Sequence, residues 1–233
     1  FFSFITNKAK SKKIKIVSFG NSTKSDIRLI KLVRSNKEKK ILVRIKNKNF
    51  SIKIKDANIY NVLASLAVLQ ELKLDIKKTL NIFKNSHLTD GRGKIFNVKR
   101  YRKFFKLIDE SYNANPLSVK NAIKNFSQIK KRNFKKYLLL GDMLELGKKS
   151  NDYHSKLSKL INNSDIDKVF VKGEKTLFTY KNLKKRKRGN IIQCNQDVDL
   201  ILRNIIENKD YLMIKGSNAT GLQDITKSMI RGF

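Results

Sequence analysis

Only one proline, Pro116, and one cysteine, Cys194, occur in the 233 residues; tryptophan is missing, and there are ten glycines and two histidines. A single cysteine excludes an internal disulfide framework and fits a reducing compartment, so a cytoplasmic protein is expected. With Cys194, His87 and His154 as its only thiol and imidazoles, the chain is not expected to build a dedicated zinc site, and no metal ligand is assigned. Long apolar runs are missing too. The longest in the interior, Val62 to Leu69, is broken by Ser65 and is far too short to cross a bilayer, so no membrane insertion is expected. The apolar start, Phe1 to Thr6, has no basic leader and no small-residue cleavage site, which excludes a signal peptide. It also lacks an initiator Met and begins abruptly, as a partial sequence would.

Acidic residues are scarce: 19 Asp and Glu stand against 53 Lys and Arg, a net charge of +34. A charge of that size attracts nucleic acid or anionic membrane. The lysines make no single stripe, however. They punctuate strands (Lys13, Lys15, Lys53, Lys55), helices (Lys77, Lys78, Lys156, Lys159) and loops alike, as the Lys-, Asn- and Ile-rich composition of an AT-rich genome would scatter them. Only Lys184-Lys185-Arg186-Lys187-Arg188 is dense, and it reads as a surface loop. No zinc-finger or RNP-type signature is present. No specific nucleic-acid partner is expected, and a basic nucleic-acid-binding protein is the alternative from a different class.

The first 55 or so residues read as strands: Lys15 to Phe19, Ile27 to Val33, and Ile41 to Ile45 with Phe50 to Ile54 around an Asn47-Lys48-Asn49 turn. The period then changes to helical over Asn58 to Leu72, and a short helix follows at Ile76 to Lys84. The polar stretch from His87 to Gly93 places a domain boundary near residue 89, giving domains at 1–88 and 89–233. Beyond it, strands alternate with helices: strands at Lys94 to Val98, Phe104 to Asp109, Tyr137 to Leu140, Lys168 to Val171, Ile191 to Gln193 and Tyr211 to Ile214. Helices fall at Pro116 to Ile129, Asn151 to Ile161, Asp197 to Glu207 and Leu222 to Arg231. The fold class is α/β, a C-terminal Rossmann-like parallel or mixed sheet with helices on both faces. Ligands of such sheets lie beyond the carboxyl ends of the strands.

Five segments carry candidate chemistry. Asp109-Glu110-Ser111-Tyr112-Asn113-Ala114-Asn115-Pro116 delivers two carboxylates from a hydrophobic strand, then opens a helix with Asn115 as N-cap and Pro116 at the first helical position. An ordinary capped helix explains Asn115 and Pro116 but not the acid pair or Tyr112. Asn58-Ile59-Tyr60-Asn61 opens the first amphipathic helix; Asn58 reads as a cap, and Asn61 lies one turn in. Arg92 stands between Gly91 and Gly93, either a fork of donors for a phosphate or a solvated linker residue. Gly141-Asp142-Met143-Leu144-Glu145-Leu146-Gly147 and Lys215-Gly216-Ser217-Asn218-Ala219-Thr220-Gly221 both follow strands. The latter reads as an anion-binding loop or as plain turn chemistry. His154 reads as a surface or packing residue.

Taken together and in this order, these segments resemble the Mur ligase family, and within it the branch that adds D-alanyl-D-alanine. The Asp109 to Pro116 and Gly141 to Gly147 stretches carry the likeness most specifically; Lys215-Gly216-Ser217 and the helix with Asn58 and Asn61 fall at the expected spacing. The resemblance implies a three-domain, ATP- and Mg2+-dependent amide ligase, monomeric at full length. It would join D-alanyl-D-alanine to UDP-N-acetylmuramoyl-tripeptide through an acyl phosphate, in peptidoglycan precursor synthesis. Residues 1–88 would be the tail of the central ATP-binding domain and 89–233 the C-terminal domain. Asn58, Asn61, Arg92, Asp109 and Glu110 would bind ATP, with Asn61 at adenine, Arg92 at the phosphates and Glu110 at the ribose. Tyr112, Asn113, Asn115, Lys215 and Ser217 would bind substrate. The chain departs from the family pattern at Lys55-Asp56-Ala57, where a histidine is usual, and at Asn218, where an Arg is frequent. It also has no Gly-x-x-Gly-Lys-[Ser/Thr] loop, so no catalytic residue is assigned and the magnesium ligands are expected upstream. Another Mur or folylpolyglutamate-type ligase is the nearer alternative. The reading requires Arg92 and Glu110 to face the same cleft.

Overall fold

Alternating and helical hydrophobic periods sort cleanly into elements in the computed structural model, which describes residues 2–34, 39–55, 57–84, 89–130 and 133–231. His87 and Asp56, which figure in the sequence reading, lie outside the described residues. The chain divides into two compact units, Phe1–Leu88 and Thr89–Phe233.

The first unit holds α1 (Phe2–Ser11), β1 (Phe19–Gly20), β2 (Ile27–Arg34), β3 (Lys39–Ile45), β4 (Lys48–Ile54), α2 (Ile59–Glu71) and α3 (Ile76–Lys84). The strands form one sheet in the order β1-β2-β3-β4, in which β1 runs parallel to β2 and the others pair antiparallel. Alternate residues Ile41, Val43 and Ile45 of β3, with Ile52 and Ile54 of β4, are buried against Val62, Leu63, Leu66 and Ala67 of α2. The two periods, 2 in the strands and 3.6 in the helix, thus meet in one core.

Three expectations fail here, the first being the strand at Lys15 to Phe19, of which only Phe19 joins β1 (Phe19–Gly20). Residues 2–11 are helical rather than strand-like, and Phe2, Phe4 and Ile5 stay exposed. The stretch has no alternation to fix it as a strand, and a short amphipathic segment takes the locally favoured helix. The β3–β4 hairpin turns at Lys46 and Asn47, because Ile45 pairs with Lys48. Lys46 takes a left-handed φ of 51°, which a two-residue turn demands of its first position.

The second unit contains β5 (Lys94–Arg100), β6 (Lys103–Glu110), α4 (Pro116–Ser127), β7 (Lys136–Gly141), α5 (Ser150–Asn162), β8 (Lys168–Lys172), α6 (Thr176–Lys181), β9 (Arg188–Ile192), α7 (Asn195–Ile205), β10 (Tyr211–Lys215) and α8 (Leu222–Arg231). Its sheet runs β5-β6-β10-β7-β8-β9, parallel throughout except for the edge strand β5, which pairs antiparallel with β6. One face packs on α4 and α5 through Val119, Ile123, Phe126, Leu157 and Ile161. The other packs on α7 and α8 through Val198, Leu202, Leu222, Ile225 and Met229. Strand β7, covered on both sides, is buried along its whole length, as a central parallel strand must be.

Helix α6 was not foreseen: six residues are too few to show a period. The dense basic run is also not a simple surface loop. Lys187 is buried, with its ammonium donating to the carbonyls of Ser164 (2.8 Å) and Ile166 (2.6 Å), and Arg188 opens β9. An aliphatic stem carries the charge to these two carbonyls, so a lysine in a basic run serves packing.

Candidate functional site

Strand β10 enters the sheet between β6 and β7, although the chain runs from β6 through α4 to β7 and reaches β10 last. The strand order therefore switches direction at the carboxyl ends of β6, β10 and β7. Helices leave to opposite faces there and leave a crevice, the usual ligand position in open α/β sheets. Glu110, Lys215 and Leu140 are lateral partners at these ends.

Because Glu110 and Lys215 pair across parallel strands, their side chains project from the same face. The Lys215 ammonium lies 3.7 Å from the Glu110 carboxylate, donates to the Glu110 carbonyl at 3.3 Å and makes a close hydrogen bond to the Asn113 carbonyl. The lysine side chain is 1% exposed and the glutamate 27%. Burial pushes the Glu110 carboxyl up and the Lys215 ammonium down; the attraction between them opposes both shifts without cancelling either.

Asp109 points to the other side of the strand and is buried. Its carboxylate accepts from the Gly91 N–H (2.7 Å), the Ser111 N–H (3.1 Å) and the Ser111 hydroxyl (2.6 Å). Gly93 N–H donates to the Asp109 carbonyl (2.7 Å), and Tyr112 N–H to the Gly91 carbonyl (3.3 Å). These bonds lash the Gly91–Gly93 turn to the end of β6. Arg92, at the centre of the turn, then lays its guanidinium over the Tyr112 ring, 4.8 Å from the centroid. Gly93 lies beside Glu110, whose Oε1 is 3.1 Å from where a Cβ on that glycine would stand. Arg92 and Glu110 thus both stand near the carboxyl end of β6.

Ser217 joins the three loops. Its N–H donates to the Asp142 carbonyl (3.0 Å), and its hydroxyl accepts from Leu144 N–H (3.1 Å) and donates to the Ala114 carbonyl (3.4 Å). The Asp142 carboxylate caps α6 by accepting from Thr176 N–H (2.7 Å) and Lys175 N–H (3.2 Å). His154 is fully buried; its Nε2 accepts from Met143 N–H (3.0 Å), and its Nδ1 lies 2.8 Å from the Ser150 carbonyl. It is a packing residue that fixes the loop after β7. Replacing it by Leu strands the Met143 N–H, so His154→Leu is expected to cost about 1–3 kcal/mol, read as a shift in urea midpoint with unchanged slope.

The second-unit candidates are thus brought together and fall into two groups. Arg92, Tyr112 and Asn113 are exposed and Glu110 is partly exposed near the carboxyl end of β6. Asp109, Asn115, Lys215 and Ser217 hold backbone: Asn115 accepts from Ser118 N–H (2.8 Å) while the Ser118 hydroxyl accepts from Asn115 N–H (3.0 Å), a capping box for α4. Asn58 and Asn61 belong to the first unit, where both are exposed. Asn58 caps α2, its Oδ1 accepting from Tyr60 N–H at 2.9 Å. Sequence reasoning missed the roles of Asp142 and Ser118; the Ser three residues after Asn115 was the available signal for the box. Among the described residues no group of three or more His, Cys, Asp or Glu side chains is placed to hold a metal ion. No helix among them is long and apolar enough to cross a membrane.

The architecture defines a class: a doubly wound α/β domain that presents an arginine, a carboxylate and a tyrosine at its switch point. Residues 96–218 match the family described as Mur ligase, glutamate ligase domain, and the chain belongs to the Mur ligase family. It is 29% identical over 215 residues to the UDP-N-acetylmuramoyl-tripeptide–D-alanyl-D-alanine ligase of Rickettsia prowazekii, covering 90% of this chain and 46% of that protein. The enzyme of the same name from Bacillus subtilis is 33% identical over 128 residues, 53% of this chain and 28% of its own. The chain thus spans less than half the length of these relatives. Among solved structures, MurF from Acinetobacter baumannii superposes with a TM-score of 0.75 at 19% identity, covering 98% of this chain and 50% of that one. The MurF ligase of Thermotoga maritima in complex with ADP gives 0.72 at 18% identity, with 97% and 50% covered. The likeness in fold extends over both units.

Proposed function

We propose that this chain carries the carboxyl-terminal half of an ATP-dependent ligase that adds D-alanyl-D-alanine to UDP-N-acetylmuramoyl-tripeptide in peptidoglycan precursor synthesis. The observation that carries the proposal is the convergence of Arg92, Tyr112 and Glu110 at the switch point, in a chain whose curated relatives bear that name. ATP, when bound, supplies the phosphoryl group that activates the tripeptide carboxylate.

The residues present fit a nucleotide. The Arg92 guanidinium, pre-stacked on Tyr112, offers planar donors to phosphate with little rotamer freedom left to lose. The Glu110 carboxylate, with one edge open to the crevice, accepts from ribose hydroxyls. Tyr112 and Asn113 border the space for the incoming amine, while Lys215 and Ser217 fix the loops that shape it and exclude water from an intermediate that water would destroy. The described residues offer no cluster of three or more carboxylate, imidazole or thiol side chains that would hold Mg2+. The protein is expected to work as a cytoplasmic monomer.

ADP release by the full-length protein, dependent on both the tripeptide nucleotide and D-alanyl-D-alanine, tests the assignment; release with another amine in place of the dipeptide would reject it. Arg92→Ala is expected to lower kcat/KM about 10- to 100-fold, the worth of one charge-assisted hydrogen bond of about 1.5–3 kcal/mol. Residues 1–233 alone are expected neither to hydrolyse ATP nor to form product, since they contain no phosphate loop; turnover by the isolated chain would contradict this.

A further inference from the structure

The β5–β6 hairpin lies at the opposite end of the strands from the crevice, roughly 25 Å away for strands of this length. Its turn is made by Tyr101 and Arg102, with φ of 57° and 61°. A two-residue turn of this kind selects Asn-Gly, because both positions are left-handed, and each bulky residue there costs about 1–2 kcal/mol. Tyr101 is used: its ring lies between the guanidinium groups of Arg100 (5.3 Å) and Arg203 (5.8 Å), and its hydroxyl bonds Asp199 at 2.5 Å. Arg102 is exposed.

Two adjoining grooves open beside this turn and share Arg100 and Asp199 as a common wall. The one at the turn, about 560 Å3, is lined by Lys99, Arg102 and Arg203 as well. Its single carboxylate, Asp199, is already engaged by Arg100 (2.7 Å) and Tyr101, and no ion pair to Lys99, Arg102 or Arg203 occurs among the described residues. The other groove, about 550 Å3, has a floor of Val198, Ile225 and Met229 between α7 and α8, with the amides of Asn195 and Gln196 and the carboxylate of Asp224 at its rim. A concentrated positive site thus abuts an apolar slot edged by hydrogen-bonding groups.

We infer that these grooves form a second anion site, which takes a mononucleotide-sized phosphate ester with its phosphate on Arg102 and Arg203 and its base on the floor between α7 and α8. The amides of Asn195 and Gln196 match the donor and acceptor edge of a base, and Asp224 accepts from an exocyclic amine. Asp224 would repel a second phosphate, so a monophosphate fits better than a polyanion laid across both grooves. The site is distinct in place and residues from the crevice at Arg92 and Glu110.

Calorimetric titration of the 233-residue chain with AMP, inorganic phosphate and adenosine tests this at moderate salt. AMP is expected to bind at least tenfold tighter than either phosphate or adenosine. The double variant Arg102→Gln/Arg203→Gln is expected to weaken AMP at least tenfold, whereas Lys148→Gln/Lys149→Gln, which removes the same charge from the far loop, changes it less than twofold. Equal losses in the two charge-matched doubles, or AMP binding no tighter than phosphate, would each overturn the inference. Thermal unfolding of each variant, expected within a few degrees of the parent, confirms that altered binding is not misfolding.

Discussion

Gly91→Ala is expected to destabilise the second unit by about 2–5 kcal/mol, whereas Gly147→Ala, at a glycine with similar backbone, costs only about 1–2. Both residues are left-handed, with φ of 77° and 57°, so both substitutions carry the same penalty of about 1–2 kcal/mol for an L side chain there. Their surroundings differ. A Cβ at Gly91 would stand 2.4 Å from the Tyr112 Cβ and 2.7 Å from the Tyr112 nitrogen, while one at Gly147 meets nothing within 4 Å. Backbone on both sides must shift, adding an overpacking cost of about 1–3 kcal/mol. The shift also disturbs the bonds from Gly91 N–H to Asp109 and from Tyr112 N–H to Gly91. Arg92 then loses its place over Tyr112. Chemical denaturation of the two variants measures the difference, and nucleotide affinity of the full-length protein should fall for Gly91→Ala alone. Equal stability losses would mean that the turn is not lashed to β6 as described.

That lashing also marks where the sequence was readable and where it was not. The strand carrying Asp109 and Glu110 was visible from its hydrophobic run, and the α4 start from Asn115 and Pro116, because caps and periods are local. α3 and α8 match their expected ranges, Ile76–Lys84 and Leu222–Arg231, for the same reason. What a linear reading could not contain is the division of labour within the motif. Asp109 and Glu110 are neighbours of the same charge type, yet strand alternation sends one carboxylate to the Gly91 turn and the other to Lys215. Lys215 looked like a substrate contact and is a buried ammonium tied to Asn113; Ser217 looked the same and stitches three loops. These bonds join residues 73 to 103 positions apart, so only the insertion of β10 between β6 and β7 creates them. The short α6 was missed because six residues leave no period distinct from their neighbours.

Lys215→Met should be the most damaging substitution at the end of β10. It leaves the carbonyls of Glu110 and Asn113 without their buried donor, at about 1–3 kcal/mol each, and removes the cation opposite the Glu110 carboxylate. A single loss of roughly 2–5 kcal/mol follows, and the double variant Lys215→Met/Glu110→Gln should recover about 1 kcal/mol or more of the summed losses, since the uncompensated charge is gone. The pH dependence gives an independent check. Glu110 has its folded carboxyl raised above the ordinary 4.5 by burial, so between 4.5 and that raised value the folded chain holds more protons than the unfolded one. Stability from this group is therefore highest in acid and falls as the pH rises through the window. Lys215 acts in the opposite sense: its folded value lies below 10.5, so its contribution grows as the pH climbs from the lowered value towards 10.5. Glu110→Gln should remove the first dependence, and its stability relative to the parent should increase between acid and neutral pH. Lys215→Met should steepen it, because the attraction that holds the carboxyl down has been deleted. A pH profile for Lys215→Met parallel to the parent would show that the two side chains do not share one site.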